Sequence, residues 1–397
     1  MAGINQTPNA DRVHIGFFGK RNAGKSSVVN AVTGQKLSIV SDVKGTTTDP
    51  VSKAMELLPV GPVVIIDTPG IDDEGLVGEL RVRRARQILN KTDVAVLIID
   101  GAAGKSQADD EIIKLFEEKS LPYIIVYNKS DLKEYENLKE NEISVSALTG
   151  ANVNDLKERI AKLAKTEENE KRIIGVFLKP SDIVVLVTPI DGSAPKGRMI
   201  LPQVQTIRDI LDGNAMCIVT QTEQLKDALD SLKEPPKMVV TDSQAFSIVK
   251  DIVPESVPLT SFSILFANYK GVLKTAAKGA ASVEKLKDGD TVLVSEGCTH
   301  HRQCEDIGTV KLPNWIKKHT GKSINFEFTS GGEFPDDLSK YSLIVHCGGC
   351  MLNEREVLYR QKCAQDQGVP FTNYGTLIAY MNGILKRSAE IFPDITI

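Results

Sequence analysis

A short glycine-rich stretch near the start of the chain, GKRNAGKSS, has residue types and spacing suited to holding phosphates. It fits the pattern G-x-x-x-x-G-K-[ST] from Gly19 to Ser26. Glycines allow backbone N–H groups to surround phosphate oxygens, Lys25 can neutralise the β and γ phosphates, and Ser26 can bind Mg²⁺. The stretch therefore predicts a nucleoside triphosphate site.

Two further motifs specify the base. NKSD runs from Asn128 to Asp131, where the Asp131 carboxylate can accept both donors on the N1/N2 edge of guanine. Adenine lacks that pair of donors, so the predicted base is guanine. SAL, which begins at Ser146, supplies the backbone amide that completes the base pocket.

Two other motifs predict how the γ-phosphate and Mg²⁺ are held. DTPG places Asp67 near the metal and the Gly70 amide near the γ-phosphate, and GTTTD supplies a switch threonine, Thr47. The predicted Mg²⁺ ligands are Ser26, Thr47 and Asp67. The predicted nucleotide-binding residues are Gly19, Asn22, Ala23, Gly24, Lys25, Ser26, Ser27, Thr47, Asp67, Gly70, Asn128, Lys129, Asp131, Ser146 and Ala147.

A second group of reactive residues lies far along the chain, in SEGCTHHRQCED and LIVHCGGCML. Three thiols that converge on one point suit a soft metal or an iron–sulfur cluster. One interpretation is a [4Fe–4S] cluster on Cys298, Cys347 and Cys350 with a fourth, non-cysteine or exchangeable ligand. A structural Cys₃His zinc site and a redox-active CGGC dithiol are the alternatives.

The sequence does not choose among the candidates for the fourth cluster ligand. Cys304 is close in sequence, and an external ligand would also complete the site. The protein candidates are His300, His346, Glu305 and Asp306. His301 is predicted to line the site. His14 and His319 carry no partner signal and are predicted to be surface or packed residues, and Cys217 and Cys363 are predicted to be buried or inert.

Each motif follows an apolar run that predicts a buried parallel strand, so the fold class is α/β. The runs VHIGFFG, PVVIIDTPG, VAVLIID, PYIIVYNKSD and EISVSAL predict an N-terminal P-loop domain, residues 1–172. Two smaller α/β units, residues 173–268 and 269–397, are predicted to follow, and both cysteine patches come directly after strands of the last unit. The segment from Val253 to Gly271 contains two prolines and is predicted to be a linker. The chain holds no exact repeat.

The amino-acid composition argues against two classes of binding partner. Of the 397 residues 41% are hydrophobic and 25% are charged, with a net charge of −4. The absence of a basic excess argues against duplex nucleic acid or an anionic membrane as the main partner. No apolar run approaches the length of a membrane span, and the first residues lack the apolar segment of a secretory signal, so the predicted location is the cytoplasm.

Residues 10–165 resemble the translation-factor-like GTPases, and among them the tRNA-modification and ribosome-assembly group, because the loop contains Asn22 and the first switch reads GTTxD. Ile71 follows DTPG where a Ras-like protein has the glutamine that orients the attacking water. In that group a monovalent cation, held partly by the loop asparagine, stabilises charge instead. The resemblance implies slow GTP hydrolysis stimulated by K⁺, with Lys25, Thr47 and Asn22 as catalytic residues. Four arginines of the second switch region are predicted to form a solvated helix face: Arg81, Arg83, Arg84 and Arg86.

The order of motifs along the whole chain, a GTPase domain followed by Cys-x-His and then His-Cys-x-x-Cys, resembles the HydF family of [FeFe]-hydrogenase maturation GTPases. The resemblance implies a GTPase domain, a central dimerisation domain and a C-terminal cluster domain. It implies a homodimeric scaffold or carrier that binds a [4Fe–4S] cluster and on which the diiron subcluster of the hydrogenase is assembled. The implied partners are the radical-SAM maturases HydE and HydG and the apo-hydrogenase, with GTP hydrolysis as a regulatory switch.

Two other functions fit parts of the sequence. One is a tRNA-modification or ribosome-assembly GTPase with a zinc-stabilised C-terminal domain, against which the acidic composition argues. The other is a redox-sensing GTPase with a CGGC dithiol, for which Cys298 would be dispensable.

Overall fold

The computed structural model describes residues 7–20, 22–35, 51–68, 88–165, 171–190, 199–297, 306–393 and 395. The chain divides into two compact units, residues 1–169 and residues 170–397. Within the described ranges no helix is both long enough and apolar enough to cross a lipid bilayer.

The first unit is built on one six-stranded sheet. Its strands are β1 (Val13–Gly19), β2 (Val51–Leu57), β3 (Gly61–Asp67), β4 (Val94–Asp100), β5 (Tyr123–Asn128) and β6 (Glu142–Val145). The described helices are α1 (Lys25–Thr33), α2 (Gln107–Glu118) and α3 (Val153–Lys165). The strand order is β2-β3-β1-β4-β5-β6, in which β2 runs antiparallel to β3 and the other neighbours are parallel.

Helices cover both faces of this sheet. Successive residues of a strand point to opposite faces, so Phe17 of β1 packs with α1 and α3 while Phe18 packs with α2. Both phenylalanines are buried. Burial on two faces explains why the strands are continuous apolar runs. Because β1, β3, β5 and β6 run parallel, their carboxyl ends lie along one edge of the sheet.

The second unit contains two four-stranded sheets. The first has β7 (Ile183–Val187), β8 (Met216–Thr220), β9 (Met238–Thr241) and β10 (Leu259–Ser261), with helices α4 (Leu201–Asp212), α5 (Leu225–Asp230), α6 (Phe246–Ile252) and α7 (Phe262–Tyr269). The second has β11 (Thr291–Ser295), β12 (Asn325–Thr329), β13 (Leu343–His346) and β14 (Phe371–Asn373), with helices α8 (Leu273–Ala280), α9 (Leu312–Thr320), α10 (Glu354–Asp366), α11 (Tyr374–Met381) and α12 (Leu385–Ala389).

The two sheets have the strand orders β10-β9-β7-β8 and β12-β11-β13-β14, and all their neighbouring strands are parallel. One continuous hydrophobic cluster includes residues of both sheets. The predicted α/β class, with a P-loop domain followed by two smaller α/β units, is confirmed.

One prediction about this unit is wrong. The segment from Val253 to Gly271 is not a linker, because it forms β10 and α7. Its apolar residues Leu259, Phe262 and Leu265 are buried in the common core. The two prolines precede the strand, where a missing N–H costs no hydrogen bond of the sheet.

Candidate functional site

The glycine-rich loop joins β1 to α1 and adopts a backbone that glycine alone fits at two points. Gly24 has φ +84°, and a Cβ atom there would lie 2.1 Å from Nδ2 of Asn128. A Cβ atom on Gly19 would lie 2.4 Å from the carbonyl oxygen of Ile98. Asn22 also has a positive φ of 65°, a conformation that asparagine tolerates better than most residues. The loop is therefore a tight turn that leads into the N-terminus of α1.

Asn128, the last residue of β5, joins two of the predicted motifs. Its side-chain Nδ2 donates to the carbonyl oxygen of Ala23 at 3.0 Å, and its Oδ1 accepts from the Ala147 N–H at 3.1 Å. The side chain is buried. Asn128 therefore fixes the phosphate loop and the SAL segment relative to β5.

The residues predicted to read the base lie on the same edge of the sheet. The Ser146 hydroxyl donates to Asp131 Oδ1 at 2.5 Å and accepts from the Thr149 N–H at 3.2 Å. Lys129, with φ +66°, pairs through Nζ with Asp100 Oδ2 at 2.5 Å. The Ser146 contact orients the Asp131 carboxylate.

Lys25 and Asp67 form an ion pair beside the loop. Lys25 Nζ lies 3.1 Å from Asp67 Oδ1, and the two side chains are 10% and 8% exposed. Burial raises the pKa of the Asp67 carboxyl, although the Lys25 charge opposes that shift. Apart from this contact with Lys25, the buried Asp67 Oδ1 has no hydrogen-bond donor among the described residues, so a cation that replaced Lys25 there would be the partner of this oxygen.

The structure thus brings most of the predicted nucleotide residues to the carboxyl edge of one sheet. The residues that it places there are Gly19, Asn22, Ala23, Gly24, Lys25, Ser26, Ser27, Asp67, Asn128, Lys129, Asp131, Ser146 and Ala147. Thr47 and Gly70, like Ile71 and the four arginines of the second switch region, lie outside the described residues.

The second group of predicted residues lies in the C-terminal sheet, where β11 and β13 end side by side. Ser295, the last residue of β11, is in register with His346, the last residue of β13. Cys347 follows, and its N–H donates to the Ser295 carbonyl at 2.9 Å. The prediction that this cysteine patch directly follows a strand is confirmed for Cys347. Cys298, His300, His301, Cys304 and Glu305 lie outside the described residues.

Backbone donors surround the Cys347 sulfur. Its Sγ accepts from the Gly297 N–H at 3.1 Å and from the Gly349 N–H at 3.4 Å. Burial raises the pKa of the Cys347 thiol, and the two N–H groups oppose that shift. Cys350 is half-buried three residues further on. Two N–H donors aimed at one sulfur suit a thiolate that ligates a metal.

His346 points its two ring nitrogens at other groups. Its Nδ1 lies 2.7 Å from the Cys347 carbonyl oxygen and its Nε2 lies 3.4 Å from Nη1 of Arg360. Burial, with a contribution from the Arg360 charge, lowers the pKa of His346 to about 3. The ring is therefore neutral, and ligation of a metal by His346 would require one of these two contacts to break.

Arg360 is a central residue of this region that the sequence did not reveal. Its side chain is 0% exposed, and it contacts Glu356 Oε1 at 2.9 Å and 3.0 Å and the Ser295 hydroxyl at 3.1 Å. It also donates to the Gly331 carbonyl at 2.6 Å. A Glu–Arg pair four residues apart on a helix is typical of a solvated surface, so no pattern in the sequence indicates that Glu356 and Arg360 are buried.

The remaining acidic, histidine and cysteine residues that the sequence analysis considered either contact neighbouring side chains or pack against the core. The Asp306 carboxylate accepts from Thr309 N and Oγ1 at 2.8 Å and 2.9 Å, which caps a single π-helical turn, Ile307–Lys311. His14 contacts Asp93 and His319 contacts Glu284. Cys217 and Cys363 are partly buried against the core, and burial raises the pKa of the Cys217 thiol.

Several curated proteins are similar to the N-terminal part of the chain. GTPase Der of Wolinella succinogenes is 35% identical over 178 residues, which is 40% of this chain and 37% of that protein. The tRNA modification GTPase MnmE of Dichelobacter nodosus is 34% identical over 169 residues, 41% of this chain and 37% of that protein. The chain thus spans little more than a third of the length of these relatives. A solved structure, described as a probable GTP-binding protein engB, is 26% identical in sequence and has a TM-score of 0.32. The match covers 39% of this chain and 100% of the chain in that structure.

Family models match three consecutive parts of the chain. Residues 14–129 match a 50S ribosome-binding GTPase model, residues 173–271 match the hydrogen maturase F dimerization domain, and residues 274–391 match the hydrogen maturase F tetramerization domain. The last two models cover both sheets of the second unit, including Cys347 and Cys350, and they follow a GTPase domain. The chain therefore belongs to the hydrogen maturase F family of GTPases.

Proposed function

We propose that this protein is a GTP-hydrolysing scaffold that binds a [4Fe–4S] cluster and carries the diiron subcluster of [FeFe]-hydrogenase during its assembly and delivery. The observation that carries the proposal is the sulfur of Cys347, held by two backbone N–H groups at the end of a strand, in a chain of this family that also has a guanine-nucleotide site. The protein would act in the cytoplasm, where thiols are kept reduced.

The GTPase site works by exchange of partners at Lys25. In GTP-bound protein Lys25 would turn from Asp67 to the β and γ phosphates, and Asp67 would join Ser26 and Thr47 in holding Mg²⁺. The buried Oδ1 of Asp67, which has Lys25 as its neighbour at 3.1 Å, supports a cation there. Asp131 selects guanine, and the Gly70 amide meets the γ-phosphate.

Hydrolysis is slow and is stimulated by K⁺ over Na⁺. Ile71 cannot orient water, so charge stabilisation falls to a monovalent cation held partly by Asn22, whose exposed side chain lies on the loop with φ +65°. Turnover in KCl should exceed turnover in NaCl at equal ionic strength, and equal rates would remove this role from Asn22.

The cluster ligands are Cys298, Cys347 and Cys350. The N–H groups of Gly297 and Gly349 stabilise negative charge on the Cys347 sulfur and oppose part of the rise in pKa that burial causes. When bound, the cluster would supply a redox-active iron–sulfur centre with one iron site open to a weak or exchangeable ligand. Of the candidate fourth ligands, His300 and Glu305 are favoured over His346, because both ring nitrogens of His346 have other partners.

GTP hydrolysis regulates the scaffold and does not perform the chemistry of cluster assembly. Loops ordered by the γ-phosphate and Mg²⁺ relax on hydrolysis, and that change alters contacts with HydE, HydG or the apo-hydrogenase. The test is a Lys25→Ala protein that has been shown not to bind GTP, assayed for hydrogenase maturation beside the Lys20→Ala protein as a matched loop control. Loss of maturation in Lys25→Ala alone supports the coupling, and maturation at the normal rate would refute it.

The chain also functions as an oligomer. We assign residues 173–268 to a central dimerisation domain and residues 269–397 to the cluster domain, in line with the family models that match there. The homodimer would place two cluster sites in one scaffold.

A further inference from the structure

Three neighbouring strands of the C-terminal sheet end in one row. The last residues of β11, β13 and β14 are in register with each other across the sheet. The residues that directly follow these strands are Glu296, Cys347 and Tyr374. Because β13 lies between β11 and β14, Cys347 lies between an acidic residue on one side and a tyrosine on the other.

The tyrosine hydroxyl reaches across the end of β13 to the acid. Tyr374 Oη donates to Glu296 Oε1 at 3.2 Å, and both side chains are buried. Burial, together with the Glu296 charge, raises the pKa of Tyr374 well above its usual value, so the hydroxyl keeps its proton and remains a donor. The hydrogen bond therefore holds the Glu296 carboxylate at a fixed place beside Cys347.

Gly308 leaves room for this pair. A Cβ atom at Gly308 would lie 2.3 Å from the Tyr374 hydroxyl oxygen and 2.4 Å from Glu296 Oε1. Gly308 belongs to the π-helical turn, whose backbone other residues could adopt, so space and not conformation explains the glycine. The turn thus packs directly on the acid and the tyrosine and encloses them.

The charge of Glu296 acts on the Cys347 sulfur. Burial is the main cause of the raised pKa of the Cys347 thiol, and the Glu296 carboxylate adds to that rise. Two backbone N–H groups and the Arg360 guanidinium oppose it. The Arg360 cation is itself paired with Glu356 at 2.9 Å. Glu296 therefore places negative charge next to a sulfur that is proposed as a cluster ligand.

Packing alone does not account for an acid at this position. A buried carboxylate beside thiolates is costly, because like charges repel more strongly where water is excluded. A glutamine of the same shape could accept the Tyr374 hydrogen bond without that cost. The property that distinguishes Glu296 from glutamine is its negative charge.

We propose that Glu296 is a specificity-determining residue of the cluster site, whose fixed negative charge disfavours an anionic ligand at the exchangeable iron without disfavouring a neutral one. Tyr374 is a positioning residue that acts through Glu296. The inference rests on the scaffold function proposed above, since a site that must release its cargo requires weak binding. The same charge keeps the reduction potential low, because reduction adds negative charge to the site.

Glu296→Gln tests the charge while keeping the shape of the side chain. The protein is reconstituted anaerobically and reduced, and the dissociation constants of cyanide, an anionic probe, and imidazole, a neutral one, are measured from changes in its EPR spectrum. Glu296→Gln should bind cyanide about 10-fold more tightly, the effect of one unit charge at roughly 10 Å in a medium with an effective dielectric constant of about 20. Imidazole affinity should stay nearly constant, and the reduction potential should rise.

Two other variants are controls. Glu296→Asp keeps the charge and should keep the wild-type preference for imidazole over cyanide. Glu333→Gln removes an exposed carboxylate from the segment between β12 and β13, and it should change neither affinity. Circular dichroism and the iron and sulfide content per chain show whether each variant is folded and loaded.

A purely structural role of Glu296 would change both affinities alike. Equal changes for the two probes in Glu296→Gln, or no change in either, would overturn the inference. If Glu296→Gln takes up no iron, Tyr374→Phe replaces it: release of the carboxylate from its position should reduce the discrimination against cyanide, and an unchanged ratio would overturn the inference. A wild-type protein that takes up no cluster would instead refute the scaffold function, so the two failures are distinguishable.

Discussion

Asn128 connects the nucleotide motifs through its own amide. One end of the amide donates to the phosphate loop and the other accepts from the SAL segment. Nearby, the Asp131 carboxylate already accepts from Ser146 and has a second oxygen for the base. The position of the base pocket is thus set by hydrogen bonds between motifs that are distant in sequence.

Asp131→Asn should change the base that the site accepts. An amide offers one acceptor and one donor, which matches the N1–H and C2 carbonyl of xanthine and mismatches the two donors of guanine. We expect GTP affinity to fall about 100-fold, which corresponds to about 3 kcal/mol for lost charge-assisted hydrogen bonds, and XTP to bind in its place. Titration with fluorescent GTP and XTP analogues measures both; unchanged GTP affinity would show that Asp131 does not contact the base.

Arg360→Met should strongly destabilise the second unit. The substitution removes the partner of the buried Glu356 carboxylate and one contact of His346, and breaking a buried ion pair costs about 3–5 kcal/mol. Denaturant unfolding measures the loss. Lys362→Met, an exposed change on the same helix, is the control and should cost little. If the two variants had equal stability, the buried network would have no structural role.

The sequence indicated candidate nucleotide residues that the structure brings to one edge of the first sheet, because each motif is short and local. It could not predict the Arg360 network, which depends on three segments that meet only in the fold: the end of β11, the end of β13 and one face of α10. The sequence also made His346 a candidate ligand, because it shows that His346 precedes Cys347. It does not show that the Arg360 guanidinium contacts the other side of the His346 ring.

At the scale of elements, strands that are buried on both faces were predictable. Their apolar runs, such as VAVLIID for β4 and TVLVSEG for β11, are continuous. The edge strand β6 was predicted from EISVSAL, whereas β10, β12 and β14 were not predicted. NFEFT in β12 mixes polar and apolar residues, and β10 and β14 are too short to show a period.

The N-caps of α7 and α11 should make different contributions to stability. Ser261→Ala removes the N-cap hydrogen bond of α7 and the bond that Ser261 accepts from the Ser243 hydroxyl, each worth about 1 kcal/mol. Asn373→Ala also loses the bonds of Asn373 to the Thr376 hydroxyl and the Ser263 carbonyl, so it should cost more. Thermal or urea unfolding of both variants tests the order, and an Asn373→Ala protein at least as stable as Ser261→Ala would contradict it.

At the scale of the whole molecule, one GTPase unit precedes, along the chain, two four-stranded parallel sheets with the same strand order. The sheets differ in the residue that directly follows the third strand, which is Asp242 in the first sheet and Cys347 in the second. The cysteines proposed as cluster ligands thus belong to the part of the chain that contains the second sheet.

The measurement that tests the central claim most directly is EPR spectroscopy of anaerobically iron- and sulfide-reconstituted, dithionite-reduced protein, beside the Cys298→Ala, Cys347→Ala and Cys217→Ala variants. The account predicts a reduced [4Fe–4S] signal in the wild type and in Cys217→Ala, and its loss in the other two. A protein that gives no such signal and binds zinc instead, or a cluster that survives without Cys298, would contradict it.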